Sequence, residues 1–275
     1  MKLGITLPSF RETVDPSLAV AAAAEGHGLD GVFAYDHLFR RSPEGSGARD
    51  RDVRDDGRRG RGHPTGRARL AGRASLRPPA TLANGFDTVA RIVGPDRLAI
   101  AVGAGDGESK EENESFGLGF GSIEDRLAML RETVDTVRDR GYPVWIGGTD
   151  PAVREMAAAH ADGWNRWGGP LDKFAAQAVG VREAAARQPF TLSWGGLVVL
   201  ADSDAEATAK AERLGVDNAH RPAAAQVIVG GPDTVADALR HYVDAGAEWL
   251  VAGPIDSSDP DNCRILGEEI APRLG

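Results

Sequence analysis

The 275 residues carry a formal charge of −9, a single cysteine and 41% apolar side chains, which suits one large α/β domain of the ~250-residue barrel size. A lone cysteine excludes an internal disulfide framework or a cysteine zinc cluster and fits a reducing, cytoplasmic setting, and no apolar run nears the ~18 residues of a membrane span. The acidic balance argues against nucleic acid, which needs clustered Lys and Arg; yet ten arginines against five acidic residues between 41 and 73 leave the remainder at −14.

Short apolar runs alternate with helical patterns, the mark of repeated βα units around a parallel sheet. Leu3 to Leu7 reads as a strand, followed by a helix that Asp15-Pro16 opens and Gly26 and Gly28 close. Gly31 to Tyr35 is the second strand. A helix over Pro79 to Ile92 precedes a strand at Leu98 to Val102, and Ile123, Leu127, Leu130, Val134 and Val137 then space one apolar face of a long helix. Further strands are expected at Val144 to Ile146, around Gly163 to Asn165, at Thr191 to Leu200 and at Trp249 to Ala252, with Pro260 opening a last helix.

That makes seven strands, one short of a closed barrel. In the missing place stands Arg41 to Arg73, where Val53 and Leu70 are the only large apolar residues. An Arg/Gly-rich insertion and a nucleic-acid-binding tail are two readings. A third is a compensated frameshift in a GC-rich gene: one base of displacement turns Ala48 to Arg61 into an Ala/Thr/Met-rich helix, and Gly62 to Gly72 into a string of the type GTRRVALGSLV. The expectation is one barrel over 1–275 with an aberrant, irregular 41–73, in which a bare Arg/Gly string leaves the barrel open.

Candidate chemistry lies where strands end. Asp36-His37, within FAYDHLF, would bring a carboxylate and an imidazole to the barrel mouth, where catalytic groups gather. Such a dipeptide is as often a turn or a helix cap. Val102-Gly103-Ala104-Gly105-Asp106 allows backbone to approach a flat or phosphorylated ligand, although glycines after a strand are more often a plain turn. Ile146-Gly147-Gly148-Thr149-Asp150-Pro151 leads into a helix N-terminus, either an anion site or a helix capped by Thr149 or Asp150. Gly230-Gly231-Pro232-Asp233 reads as a βα turn. The other histidines lack metal-ligand spacing, and no metal site is expected. Trp167 and Trp194 are the tryptophans able to wall a ring pocket, with core the commoner role. Neither a Ser-His-Asp arrangement nor a P-loop is visible.

Taken together, KLGITLPSF, FAYDHLF, RPPATLANGFDTVA, DRLAIAVGAGDGESKEENESFG, PVWIGGTDPAVREMAAAHADGWN and GGPDTVADALRHYVDAGAEWLV resemble the luciferase-like monooxygenase family, most of all its branch that uses the deazaflavin coenzyme F420. The resemblance implies a (β/α)₈ TIM barrel, a ring bound at the C-terminal mouth, and hydride transfer at ring carbon C5 to or from a small organic substrate. It implies that Asp36 helps bind the ring and that His37 donates a proton or stabilises the transition state. Asp106 matches an acid/base position held by a glutamate in glucose-6-phosphate dehydrogenase relatives, so it reaches one methylene less far. Gly103, Ala104, Gly105 and Ser109 would lie along the ring and ribityl chain, and Gly147, Gly148 and Thr149 against the phosphate-bearing tail. The family's backbone bulge at the third strand, often with a non-prolyl cis peptide costing ~3 kcal/mol, falls in the arginine-rich stretch. An FMN-dependent monooxygenase using reduced flavin and oxygen, and an inactive member damaged at 41–73, are the alternatives. Partners are limited to the small-molecule substrate, without nucleic acid or membrane, and homodimer formation stays open.

Overall fold

The computed structural model describes residues 1–37 and 77–275, and the backbone alone of 67–73 and of 107 and 108. In chain order the elements are β1 (Lys2–Thr6), α1 (Asp15–Gly26), β2 (Gly31–Ala34), β3 (Arg67–Arg73), α2 (Pro79–Val93), β4 (Leu98–Gly103), α3 (Gly107–Ser115), α4 (Ile123–Arg138), β5 (Val144–Gly147) and α5 (Pro151–His160). Then follow β6 (Gly163–Trp167), α6 (Leu171–Ala184), β7 (Thr191–Leu200), α7 (Asp204–Arg213), β8 (Val227–Gly230), α8 (Pro232–Asp244), β9 (Trp249–Pro254) and α9 (Asp261–Arg264), which runs into a π-helical turn over Ile265–Ile270.

Among the described residues β1 to β7 and β9 form a closed ring of eight parallel strands, in which β9 joins β7 to β1. The seven expected strands are all present within a residue or two of their ends. Two features differ from expectation. Arg67–Arg73 is the strand thought missing: it pairs with β2 on one side and with β4 on the other, so the ring is not open there. Apolar counting missed it because a strand between two parallel neighbours is held by backbone bonds that every residue type supplies. Its Arg-Ala-Arg-Leu-Ala-Gly-Arg string has the strand's period of two even though most of its letters are not strand formers. The β3–β4 register runs unbroken from Ala68 to Arg73. The helix expected at 48–61 lies outside the described residues.

The second difference is β8, a short strand absent from the sequence reading. It pairs with Leu197–Leu200, the upper part of β7, beyond the Thr191–Gly195 stretch that pairs with β6.

Alternation along the strands divides the side chains. Leu3, Ile5 and Leu7 of β1 and its extension, Ile100 and Val102 of β4, and Leu192 and Trp194 of β7 face outward into the layer shared with the helices. The inward positions of the same strands are small or aromatic: a Cβ on Gly4 would stand 2.5 Å from the Phe33 ring, and one on Gly163 2.7 Å from Trp145. Lower in the barrel Trp249 meets Phe33 and Trp145 edge-on, at 5.8 and 6.1 Å between ring centroids. These rings fill the lower interior, as expected of a barrel whose sites lie at the C-terminal end. No helix among the described residues is long and apolar enough to cross a membrane.

Candidate active site at the barrel mouth

Beyond the last ladder bonds of β2 come Tyr35, Asp36 and His37, and the dipeptide is split. His37 lines a cavity of about 390 Å³ at the mouth, together with Thr6, Tyr35, Trp167 and Leu197. Asp36 is turned away and ion-paired with Arg77, just ahead of α2. With Asp36 only 8% exposed, that pair ties the end of β2 to the chain entering α2.

The carboxylate that does meet His37 is Glu112. Its Oε1 lies 2.9 Å from His37 Nδ1, and its side chain is only 2% exposed whereas His37 is 43% exposed. Glu112 comes from α3, whose sequence Gly-Glu-Ser-Lys-Glu-Glu-Asn-Glu-Ser has no apolar face. The helix is instead anchored by buried polar residues one turn apart, Ser109, Glu112 and Asn113. Asn113 Nδ2 donates to the Gly119 carbonyl at 3.2 Å, fixing the turn after the helix. Sequence reasoning missed Glu112. No local signal marks it, because every position of α3 is polar or glycine and none stands out.

Asp106 caps that helix. Its Oδ1 accepts from the Ser109 amide at 2.9 Å and from the Ser109 hydroxyl at 3.0 Å, while the Asp106 amide donates back to Ser109 Oγ at 3.2 Å. This reciprocal box engages both residues, so Asp106 and Ser109 hold α3, and through it Glu112. Gly103 and Ala104 continue β4 onto the mouth. Arg126 of α4 donates to the Ala104 carbonyl at 3.2 Å and lies over Phe120 at 4.1 Å, while Gly105 takes a positive φ of 77° to enter the turn.

On β5, Gly147 stands next to Gly103, and a Cβ on Gly103 would come within 3.3 Å of the Gly147 carbonyl oxygen. The Gly148 amide donates to Asn165 O at 3.2 Å, its carbonyl accepts from Trp164 Nε1 at 2.8 Å, and a Cβ there would strike Val153 at 2.8 Å. Of the two cap candidates, Asp150 takes the Ala152 amide at 2.9 Å, and the Thr149 carbonyl accepts from Arg154 at 3.2 Å. Gly147, Gly148 and Thr149 therefore form a turn tightly tied to β6 and α5.

Aromatic walls complete the cavity. Trp167 stands edge-on to Tyr35, with centroids 5.5 Å apart at 90°. Gly195 and Gly253 make room for it, since a Cβ at either would fall 2.6 or 2.9 Å from its ring. Burial pushes the Tyr35 phenol far above its usual value, against a smaller opposing effect of its bond to Thr6, so the hydroxyl stays protonated. Trp194 points the other way and stacks on Tyr242 of α8 at 3.9 Å. Cys263 is buried in α9 and its thiol is pushed up to about 12, mainly by burial, which removes it as a nucleophile.

Residues 136–248 match the model of the luciferase-like monooxygenase family. The fold is similar along 100% of the chain to an F420-dependent secondary alcohol dehydrogenase solved with an F420-acetone adduct, at TM-score 0.80 and 15% identity and covering 99% of that chain. It is also similar to the coenzyme F420-dependent tetrahydromethanopterin reductase of Methanopyrus kandleri, at TM-score 0.76 and 16% identity over 100% of this chain and 99% of that one. The EDTA monooxygenase of Chelativorans sp. BNC1 matches at TM-score 0.75 and 14% identity, over 100% and 93% respectively. The resemblance read from the motifs is thus borne out: residues 136–248 carry the luciferase-like monooxygenase signature, on a barrel shared from end to end with F420-dependent enzymes and with monooxygenases.

Proposed function

We propose that this protein is an F420-dependent oxidoreductase acting on a small organic substrate at the barrel mouth, with His37 as its proton-handling group. The observation that carries the reading is the buried Glu112 carboxylate on His37 Nδ1, at the edge of a cavity of about 390 Å³. A carboxylate on one ring nitrogen fixes the imidazole's orientation and tautomer. With Glu112 ionised, Nδ1 carries the proton and Nε2 is the nitrogen left to serve a substrate oxygen.

The residues suit a flat ring. Gly103 and Gly147 leave the β4 and β5 side of the mouth without side chains, and a Cβ on Gly103 would sit tightly, 3.3 Å from the Gly147 carbonyl oxygen. Gly103, Ala104 and Gly105 would hold the ring, with Gly147 and Thr149 toward its tail. When bound, the deazaflavin supplies or accepts hydride. His37 protonates or deprotonates the substrate oxygen, Glu112 steadies the imidazole, and Trp167 and Tyr35 exclude water. Asp36 and Asp106 serve the scaffold in this reading, as the Arg77 partner and the α3 cap.

An FMN-dependent monooxygenase is the second reading, favoured by the equal length of the fold match to the EDTA monooxygenase. Fluorescence titration of the purified protein with F420 and with FMN separates the two. F420 binding with no FMN binding supports the first reading, and the opposite result reverses it. A folded sample that binds neither would mark a member inactivated at 41–73. The frameshift remains our proposal for that segment, and the coding DNA tests it: a compensated pair of single-base changes supports it, whereas a clean in-frame alignment with related genes ends it.

A further inference from the structure

His37 is one polar feature of the cavity; Arg11, in a different wall, is another. After β1 the chain runs through Leu7-Pro8-Ser9 and then bends at Phe10, the one non-glycine residue with positive φ, 58°, among the described residues. For a bulky side chain this conformation is unfavourable and persists only where the surroundings impose it, commonly at ligand sites. The bend places Ser9, Phe10 and Arg11 together in the cavity lining.

Arg11 has neutral partners on the cavity edge. Its Nε donates to Ser258 Oγ at 2.7 Å and its Nη2 to Ser257 Oγ at 3.3 Å, both neutral acceptors. Arg126, Arg154, Arg166 and Arg221 also donate to neutral acceptors, whereas Arg77 pairs with the Asp36 carboxylate, Arg182 with that of Glu248, and Arg264 with those of Asp202, Asp261 and Glu269. Among the described residues Arg11 meets none. The acidic residues flanking its serines are engaged elsewhere, since Asp256 and Asp259 both face Lys210, at 2.6 and 3.7 Å. Nearby, in the same lining, the Ser9 hydroxyl is buried without a hydrogen-bond partner, a state that costs free energy until a partner is supplied. The rest of the lining is largely apolar, with Phe10, Leu197, Pro254 and Ile255.

A guanidinium with unused donors and neutral neighbours at the edge of an apolar cavity is built for an oxyanion. We infer that Arg11, with Ser257 and Ser9, anchors the carboxylate or phosphate of an amphipathic substrate whose apolar body fills the cavity beside His37. This assignment names the substrate class of the proposed oxidoreductase and rests on this cavity being its substrate site.

The test uses the purified protein without cofactor, titrated calorimetrically and by Trp fluorescence with benzoate, phenyl phosphate and benzyl alcohol. Binding of at least one anion is expected, and the tighter of the two identifies carboxylate or phosphate as the group read. Arg11→Gln should weaken that anion about 10- to 100-fold, the loss of a charged hydrogen bond of about 1.5–3 kcal/mol. Arg11→Lys should retain part of the affinity, and benzyl alcohol should be indifferent to both changes. Ser9→Ala, which deletes only an unpartnered hydroxyl, should fold normally and weaken the anion less. Equal anion affinity in wild type and Arg11→Gln, an equal loss for benzyl alcohol, or no anion binding by folded wild type overturns the assignment. Because F420 takes no part in the assay, anion binding without F420 binding would sink the cofactor reading alone, and F420 binding without anion binding would sink only the subsite.

Discussion

The barrel mouth has two unlike halves. Around β1, β2, β6, β7 and β9 it presents side chains: His37, Tyr35, Trp167 and Arg11 stand on an open cavity. Around β4 and β5 it presents backbone, with Gly103 and Gly147 on the inner surface and Asp106, Ser109 and Asp150 spent on helix caps. Polar residues in the first half face ligand space, whereas in the second they face the protein. A carboxylate near the mouth therefore cannot be assigned a chemical role from its position along the chain. Asp106 and Glu112 sit in the same helix region, yet one closes a capping box and the other meets the imidazole.

Substitutions on the two sides should separate along that line. The largest effect is expected for His37→Ala: stopped-flow rates of F420 reduction or oxidation fall by about 10²- to 10⁴-fold, the range for loss of a general acid–base group, while cofactor affinity and melting temperature hold. Unchanged rates would erase the distinction. Glu112→Gln should follow at about 10- to 100-fold, the loss of one charged hydrogen bond, and should also alter the pH profile of the remaining activity. An altered melting temperature with an unaltered pH profile would reduce Glu112 to scaffold.

Asp36→Ala tests the other behaviour. Removing the partner of Arg77 should cost about 1.5–3 kcal/mol in urea unfolding, with the rate per folded molecule nearly kept. A rate loss without destabilisation would return Asp36 to the chemistry. Asp106→Ala should cost about 1 kcal/mol, as for a lost N-cap, and its rate should drop only as far as α3 shifts Glu112. Asp106→Asn, which can still cap, should recover both.

The smallest effect lies away from both halves, at the turn before α8. There the Asp204 carboxylate accepts from the Gly231 amide at 2.7 Å and from Thr234 Oγ1 at 2.9 Å, and mainly the amide holds it below the usual carboxylate range. A value lowered by folding stabilises the native state above the ordinary carboxylate pKa, and that contribution is lost as pH falls through the folded-state value. Asp204→Asn should therefore flatten the acid side of the melting-temperature profile slightly and leave it unchanged near neutrality. A uniform drop at every pH would show the contact to be steric instead.

Much of the fold was legible because local rules agree with the global one. The Asp150-Pro151 start and the apolar face at Leu130, Val134 and Val137 sit where capping and periodicity place them, and α1 begins at Asp15 as expected although Val14 is its N-cap and Asp15 makes no cap bond. β8 was not legible, since Val227–Gly230 is four residues long and depends on the upper part of β7. The third strand was hidden in arginines for a similar reason, its support coming from β2 and β4.

From residues alone came the alternating βα order, the glycines at two strand ends and the histidine after β2, because each is governed by neighbours a few positions away. The partner of His37 came only from tertiary structure. Glu112 is 75 residues distant, in a helix whose composition announces nothing. The separation of Asp36 from His37 needed the position of Arg77. Arg11, too, became informative only when Ser257 and Ser258, nearly the whole chain away, were brought against it without an accompanying carboxylate. Local propensity sets which elements form; whether a charge is satisfied or left for a ligand depends on what closure of the barrel carries to its side.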